Sequence, residues 1–244
     1  MQAVYRLSVL RPIGALLALL TLPPLLTLTL SHLSHRLLSP SLPVSLPAPA
    51  PIAVILDPGH GGIDGGAVGE SGTLEKDLNL AVAKRLSEIL TDCGVNILLT
   101  REEDTLPDSG GEGSRKMRDL QARLAIMQEH PNALFVSIHM NRFPSSAVRG
   151  TQIWYAEGEG SAALAEALHR AVKDRLQPDN RRPCKQADSG IFLLHRAVGQ
   201  AVLVECGFLS CPEEEALLLR EDYQTELCLA LASAILSHLA AEGG

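Results

Sequence analysis

The chain has 244 residues, a formal net charge of -7 and only 3% aromatic residues. That length suits one sizeable α/β domain, and the scarcity of aromatics argues against a surface that stacks bases or sugars. The first 51 residues carry Arg6, Arg11 and Arg36 and no acid, so the remainder holds -10; a body this acidic is not expected to bind nucleic acid.

Residues 1–38 open with two arginines followed by an uncharged stretch from Pro12 to His35, mostly Leu, Ala and Thr. This is the pattern of an export signal or a single membrane anchor, with its basic flank left in the cytoplasm. Ala48-Pro49-Ala50 fits a small-x-small cleavage site, although Pro51 follows it, and Pro23-Pro24 would break a spanning helix. Either reading places the rest of the chain outside the cytoplasm, secreted or held at the membrane by an uncleaved segment. Residues 39–51, with five prolines, form a stiff linker. A catalytic domain is therefore expected over 52–244.

Within it, AVILD (53–57), VNILLT (95–100), ALFVSIH (133–139), TQIWYA (151–156) and AVLVE (201–205) read as strands, with IFLLH (191–195) a weaker sixth. Helical periodicity covers 74–92, 115–129, 160–176 and 222–241, with a short helix near 213–219. Strands separated by helices of this length predict an α/β fold: a single, mainly parallel twisted sheet of about six strands with helices on both faces. Thr73 is placed to cap the first helix, whose buried stripe runs through Leu78, Val82, Leu86 and Ile89. Glu75 falls on that inward side, where an unpartnered carboxylate would be costly. The segment DTLPDSGGEGS (104–114) is an acidic, glycine-rich loop, either a lid or solvent-facing. Five cysteines with no CxxC pair suit neither a disulfide framework nor a zinc ribbon, and are expected to be mostly free, buried thiols.

His60, His139 and Glu205 each lie at or just past the carboxyl end of an expected strand, the edge at which parallel sheets bind ligands. Glu75 starts the helix after the first of these strands. Two imidazoles and two carboxylates suit a catalytic zinc with three protein ligands and an open fourth position, next to a carboxylate that moves protons. The reading takes His60, Glu75 and His139 as ligands of one zinc ion and Glu205 as general base, although spacing alone would allow the two glutamates to be exchanged. In DPGHGGIDGG (57–66), Asp57 or Asp64 is expected to orient the His60 ring. That stretch fits neither phosphate-binding glycine pattern and no GxSxG is present, so a nucleotide loop and a serine nucleophile are poorly supported.

The segments ILDPGHGGIDGGAVGESGTLEKDLNL (55–80), LFVSIHMN (134–141) and VLVECGFLSCPEEEALL (202–218) resemble the zinc-dependent N-acetylmuramoyl-L-alanine amidases of bacterial cell walls. The resemblance covers essentially all of 52–240. It implies the same metal ligands, Glu205 as the catalytic glutamate, and peptidoglycan as substrate, cut between the lactyl group of N-acetylmuramic acid and the L-alanine of the stem peptide. KMRDLQARLAIM (116–127) and RRPCKQADSGIFLLHR (181–196) look most like the germination-specific, spore-cortex branch, in which peptide removal precedes formation of muramic-δ-lactam. Met127 and Cys211 stand where the family usually shows Asn. Arg123, Asn141, His195 and Arg196 are expected to contact substrate or steady the ligands. With no wall-binding repeat in the sequence, the substrate is expected to be found through the N-terminal anchor, the active-site groove or an activating protein partner. The competing readings are another zinc wall hydrolase, a peptidase or deacetylase, and a non-catalytic wall-binding regulator.

Overall fold

In the computed structural model, residues 51–108 and 110–242 are described. The expected signal or anchor and nearly all of the linker lie outside them. The described residues form one compact unit.

Six strands form the sheet: β1 (Val54–Pro58), β2 (Ile97–Leu99), β3 (Leu134–Asn141), β4 (Gln152–Tyr155), β5 (Lys185–Gln186) and β6 (Ala201–Phe208). Their order is β2-β1-β3-β6-β4-β5. The pairs β1-β2, β1-β3 and β3-β6 are parallel, whereas β4 runs antiparallel to β6. The connection from β3 to β4 contains no helix. It cannot cross back over the sheet, so the next strand must return in the opposite direction. The sheet is thus mainly parallel with one reversal.

Alternation along the strands assigns the two faces. Val54 and Leu56, Val136 and Ile138, and Val202 and Val204 share one core with helices α1 (Glu75–Asp92), α3 (Glu159–Arg175) and α6 (Glu221–Glu242). Ile55, Phe135 and Ala201 point the other way, into a smaller core with α2 (Arg115–Glu129) and the short α4 (Phe192–His195). Helices therefore cover both faces, as the alternation of elements requires. Helix α6 is long and apolar enough to cross a membrane. Its Leu227, Cys228, Leu231 and Ile235 are fully buried in the first core, which marks it as a core helix.

Two local expectations fail. Residues 191–195 form not a strand but a turn and the helix α4, closed by His195 N–H to Ile191 O and Arg196 N–H to Phe192 O. A short apolar run has no period that distinguishes the two states. Here adjacent Leu193 and Leu194 both enter the same core, whereas a strand would send them to opposite sides. The sixth strand is instead the exposed pair Lys185–Gln186. Thr73 also does not cap α1. Leu74 holds that position, and the Thr73 hydroxyl pairs with Ser71 Oγ at 3.0 Å.

Candidate metal centre

The neighbouring strands β1, β3 and β6 all end at one edge of the sheet, which brings their carboxyl-terminal residues together. His60 sits two residues beyond β1 with φ 59°, a left-handed conformation uncommon for a residue with a side chain. Glycine is needed where this loop passes the other candidate ligands. A Cβ at Gly59 would collide with the His139 ring, and one at Gly66, where φ is 68°, would collide with the Glu75 carboxylate and the His60 ring.

The three expected ligands converge. Glu75 Oε1 lies 2.8 Å from His139 Nδ1 and Glu75 Oε2 lies 3.3 Å from His60 Nε2. One donor atom from each of His60, Glu75 and His139 falls within 4.8 Å of the others. The Glu75 carboxylate also accepts Ala67 N–H at 2.7 Å, Met140 N–H at 3.2 Å and Asn79 Nδ2 at 3.3 Å. This answers the cost of placing a carboxylate on a buried helix face.

Charges in the cluster are strongly coupled. Burial raises the Glu75 pKa, but hydrogen bonds and charge from His139 and His60 outweigh it and hold the carboxyl well below its ordinary range. Burial opposes charging of His60, yet Glu75, and after it Asp64, lift its pKa to about 9. The donor set, two imidazoles and one carboxylate facing one point, is the one a divalent zinc-type cation takes.

Glu205 is the cross-strand partner of His139, on strands about 4.8 Å apart. Although the residue is only partly buried overall, its Oε2 is buried with no hydrogen-bond partner among the described residues. Burial is the main cause that pushes its pKa up to about 7; His139 opposes the rise and Glu75 adds to it.

The sequence profile of the N-acetylmuramoyl-L-alanine amidase family, Amidase_3, matches residues 54–237. The chain belongs to this amidase family. The germination-specific N-acetylmuramoyl-L-alanine amidase of Bacillus subtilis (strain 168) is 36% identical over 206 residues, spanning 82% of this chain and 85% of that protein. Among solved structures, the CwlD amidase from Clostridioides difficile, in complex with the GerS lipoprotein, is 35% identical with a TM-score of 0.71. The match covers 78% of this chain and 98% of that one. The amidase AmiC2 of Nostoc punctiforme is 32% identical with a TM-score of 0.66, over 78% and 97% of the two chains. The protein is therefore an enzyme of the N-acetylmuramoyl-L-alanine amidase class, acting on peptidoglycan, with the single α/β domain its relatives share.

The amidase site separates the two aspartates of the glycine loop. Asp64 Oδ2 lies 2.9 Å from His60 Nδ1, out of line with a full hydrogen bond. Asp57 turns away and takes contacts from Ser137 Oγ at 2.6 Å, Thr100 Oγ1 at 2.6 Å and Arg123. Of the two, only Asp64 is placed to steady the ring. Arg123 lines the cleft beside His60 and His139, but as a buried group already engaged by its neighbours. It is 2% exposed and donates to the carbonyls of Pro58 and His60, both at 2.8 Å, while its Nε is held by Asp119 at 2.8 Å. It acts through the loop that carries His60. The Asn141 side chain accepts the N–H of Arg142 at 2.8 Å. His195 and Arg196 are exposed at the end of α4, and Arg196 stacks on Phe192, 4.7 Å from the ring centre. Neither lines the cleft of about 210 Å³ that opens beside His60 and His139, whereas Leu120, Ile191, Phe192 and Leu203 do. The reason is the helical turn: a strand at 191–195 would have carried His195 toward the sheet edge.

Arg101 was not expected at the site. It is 4% exposed and donates to Pro58 O at 2.9 Å, Gly59 O at 3.0 Å and Lys76 O at 2.9 Å, tying the His60 loop to the first turn of the helix that carries Glu75. Its position just past β2 is the same signal that marks the histidines. The acidic loop begins as a brace: Asp104 accepts Gly62 N–H at 2.7 Å and Lys76 Nζ at 2.6 Å. Met127 is buried in the second core, and Cys211 stands at the start of helix α5 (Pro212–Leu218).

Proposed function

We propose that this amidase is zinc-dependent, that His60, Glu75 and His139 hold a single zinc ion, and that Glu205 is its general base and acid. The observation that carries this reading is the convergence of two imidazole nitrogens and a carboxylate oxygen within 4.8 Å, beside a buried glutamate oxygen with no partner among the described residues. When bound there, zinc supplies Lewis-acid polarisation of the scissile carbonyl and a lowered water pKa. The other work falls to the chain. Asp64 fixes the His60 ring, Glu75 keeps its carboxylate aimed through Ala67, Met140 and Asn79, and Arg101 and Arg123 hold the loop backbone in place. Glu205, with a pKa near neutrality, takes a proton from the attacking water and returns it to the leaving amine of L-alanine.

Two relatives favour a narrower role in spore cortex maturation, where peptide removal precedes muramic-δ-lactam formation: one is described as germination-specific, and the other is the CwlD amidase. The same comparison favours an extracytoplasmic location, at the wall or cortex, with the N-terminal segment as export signal or anchor. It also favours an activating protein partner, since the CwlD amidase was solved with a lipoprotein.

Mass analysis of digested muropeptides tests the reading. Intact glycan strands and free stem peptides starting at L-alanine are expected, lost with chelator and restored by zinc. Glu205→Ala is expected to retain zinc and lose about 10²- to 10⁴-fold in rate. Cleavage inside the peptide, or wild-type rates from Glu205→Ala, would overturn the assignment.

A further inference from the structure

A second cleft, of about 740 Å³, opens along the same edge of the sheet, and Arg182 is its one half-buried arginine. We propose that Arg182 is a carboxylate-binding residue that grips the acidic stem peptide two to three residues beyond the cleaved amide. The inference rests on the amidase reading above for the position of the scissile bond.

The placement follows from register. Gln152 is the cross-strand partner of Glu205, and its Nε2 donates to Pro183 O at 2.8 Å, so the loop over residues 181–183 is pinned beside the proposed general base. Between β3 and β6 the pairing shifts from His139 with Glu205 to Asn141 with Phe208, which leaves two residues of β6 opposite Met140 alone. Such an extra residue resets the alternation of side chains. Phe208 is thereby returned to the Glu205 side of the sheet, while a Cβ at Gly207 would face Glu214 and Leu218 on the other. The guanidinium of Arg182 lies over the Phe208 ring, 4.6 Å from its centre, and its Nε donates to Arg149 O at 2.9 Å.

Stacking and the Nε bond fix the plane of this guanidinium, yet neither terminal nitrogen has a hydrogen-bond partner among the described residues. A half-buried, oriented fork with both outer donors free is built for bidentate contact with a carboxylate. Exposed Arg149 and Arg181 line the same cleft and add positive charge. Of its three carboxylates, Glu214 accepts the backbone N–H groups of Gly150 and Phe208 and also feels the charge of Arg182 and Arg149, Glu213 takes the Cys211 thiol, and Asp179 is exposed. Across the bulge, Glu205 and Phe208 span the same length of sheet as His139 and Asn141, two residues or about 7 Å. At about 3.5 Å per extended residue, a peptide leaving the catalytic edge brings its second or third residue to Arg182. Peptidoglycan stems carry free or amidated carboxyl groups at those residues, so the site would sense amidation.

The test uses the full-length, zinc-loaded protein with two defined muropeptides that differ only in whether the stem carboxyls after L-alanine are free or amidated. Binding of the free acidic tripeptide is measured separately by calorimetry. The wild type is expected to favour the free carboxylate about tenfold in kcat/KM, mostly through KM. Arg182→Gln is expected to cut both substrates at one rate and to lose about tenfold in tripeptide affinity; Arg182→Lys, which keeps the charge without the fork, should fall between. A folded Arg182→Gln protein that keeps the preference and the affinity, or a wild type that shows neither, overturns the proposal. Arg182-dependent tripeptide binding without any cleavage by the wild type would uphold the peptide site and overturn the amidase mechanism instead.

Discussion

Replacing Glu205 by Gln in metal-free protein is expected to stabilise the domain at pH 8 and leave it unchanged at pH 4. The carboxyl has an ordinary pKa of 4.5 and a folded value of about 7, raised mainly because its buried oxygen loses water. Below pH 4.5 the proton is bound in both folded and unfolded chains, so Glu205 contributes nothing to the pH dependence. Between 4.5 and 7 the unfolded chain releases a proton that the folded chain keeps. Wild-type stability then falls by about 1.4 kcal/mol for each pH unit. Above 7 the penalty is constant, at most about 3.5 kcal/mol over the whole interval. Glutamine has the same shape and does not titrate. Urea unfolding with chelator present, run from pH 4 to 8.5 on both proteins, should give a stability difference that starts near zero and widens until about pH 7. Parallel curves across that range would mean that the folded carboxylate is fully hydrated, and the argument for a poised base would fail.

Gly59→Ala should weaken zinc binding strongly while the domain still folds, because the added Cβ drives into the His139 ring; zinc titration with a competing chelator reads this against a cost in stability of about 1–3 kcal/mol. Asp64→Asn is expected to lower zinc affinity about 10- to 100-fold, as loss of a ring-orienting partner does, and Asp57→Asn should act on stability instead. Arg123→Met should cost about 3–5 kcal/mol in chemical denaturation, because Asp57 and Asp119 are then left without their buried cation. Arg123 also holds the Asp57 pKa low, so the wild-type share of that stability should vanish as pH falls below 3.8 through the folded value.

How far the site could be read from sequence depended on the physical signal behind each residue. His60, His139 and Glu205 were legible because strand ends in a parallel sheet share an edge, and Glu75 because a carboxylate on an inward helix face needs a partner. Arg101 carried the same strand-end signal after VNILLT and was passed over, since an arginine is not a metal ligand and its bonds go to backbone carbonyls distant in sequence. His195 and Arg196 were misplaced with the strand assigned to 191–195. Thr73 fitted a cap by residue type, but Ser71 claims its hydroxyl.

The sequence by itself determined the alternation of strands and helices, the two apolar faces, the acidic body and the chemical identity of the candidate ligands. These follow from periodicity and residue type, which are local. Tertiary structure decided which aspartate meets His60, that Arg123 holds the loop backbone, and that β4 reverses. It also set the shifted pairing of β3 with β6 that turns Phe208, and Arg182 above it, toward Glu205. DPGHGGIDGG shows the division in ten residues: its glycines announced a tight backbone beside a histidine, but the groups they make room for, the His139 ring and the Glu75 carboxylate, lie 80 and 9 residues away from Gly59 and Gly66. Close approach between segments so separated depends on how the sheet orders its strands, and no local pattern encodes it.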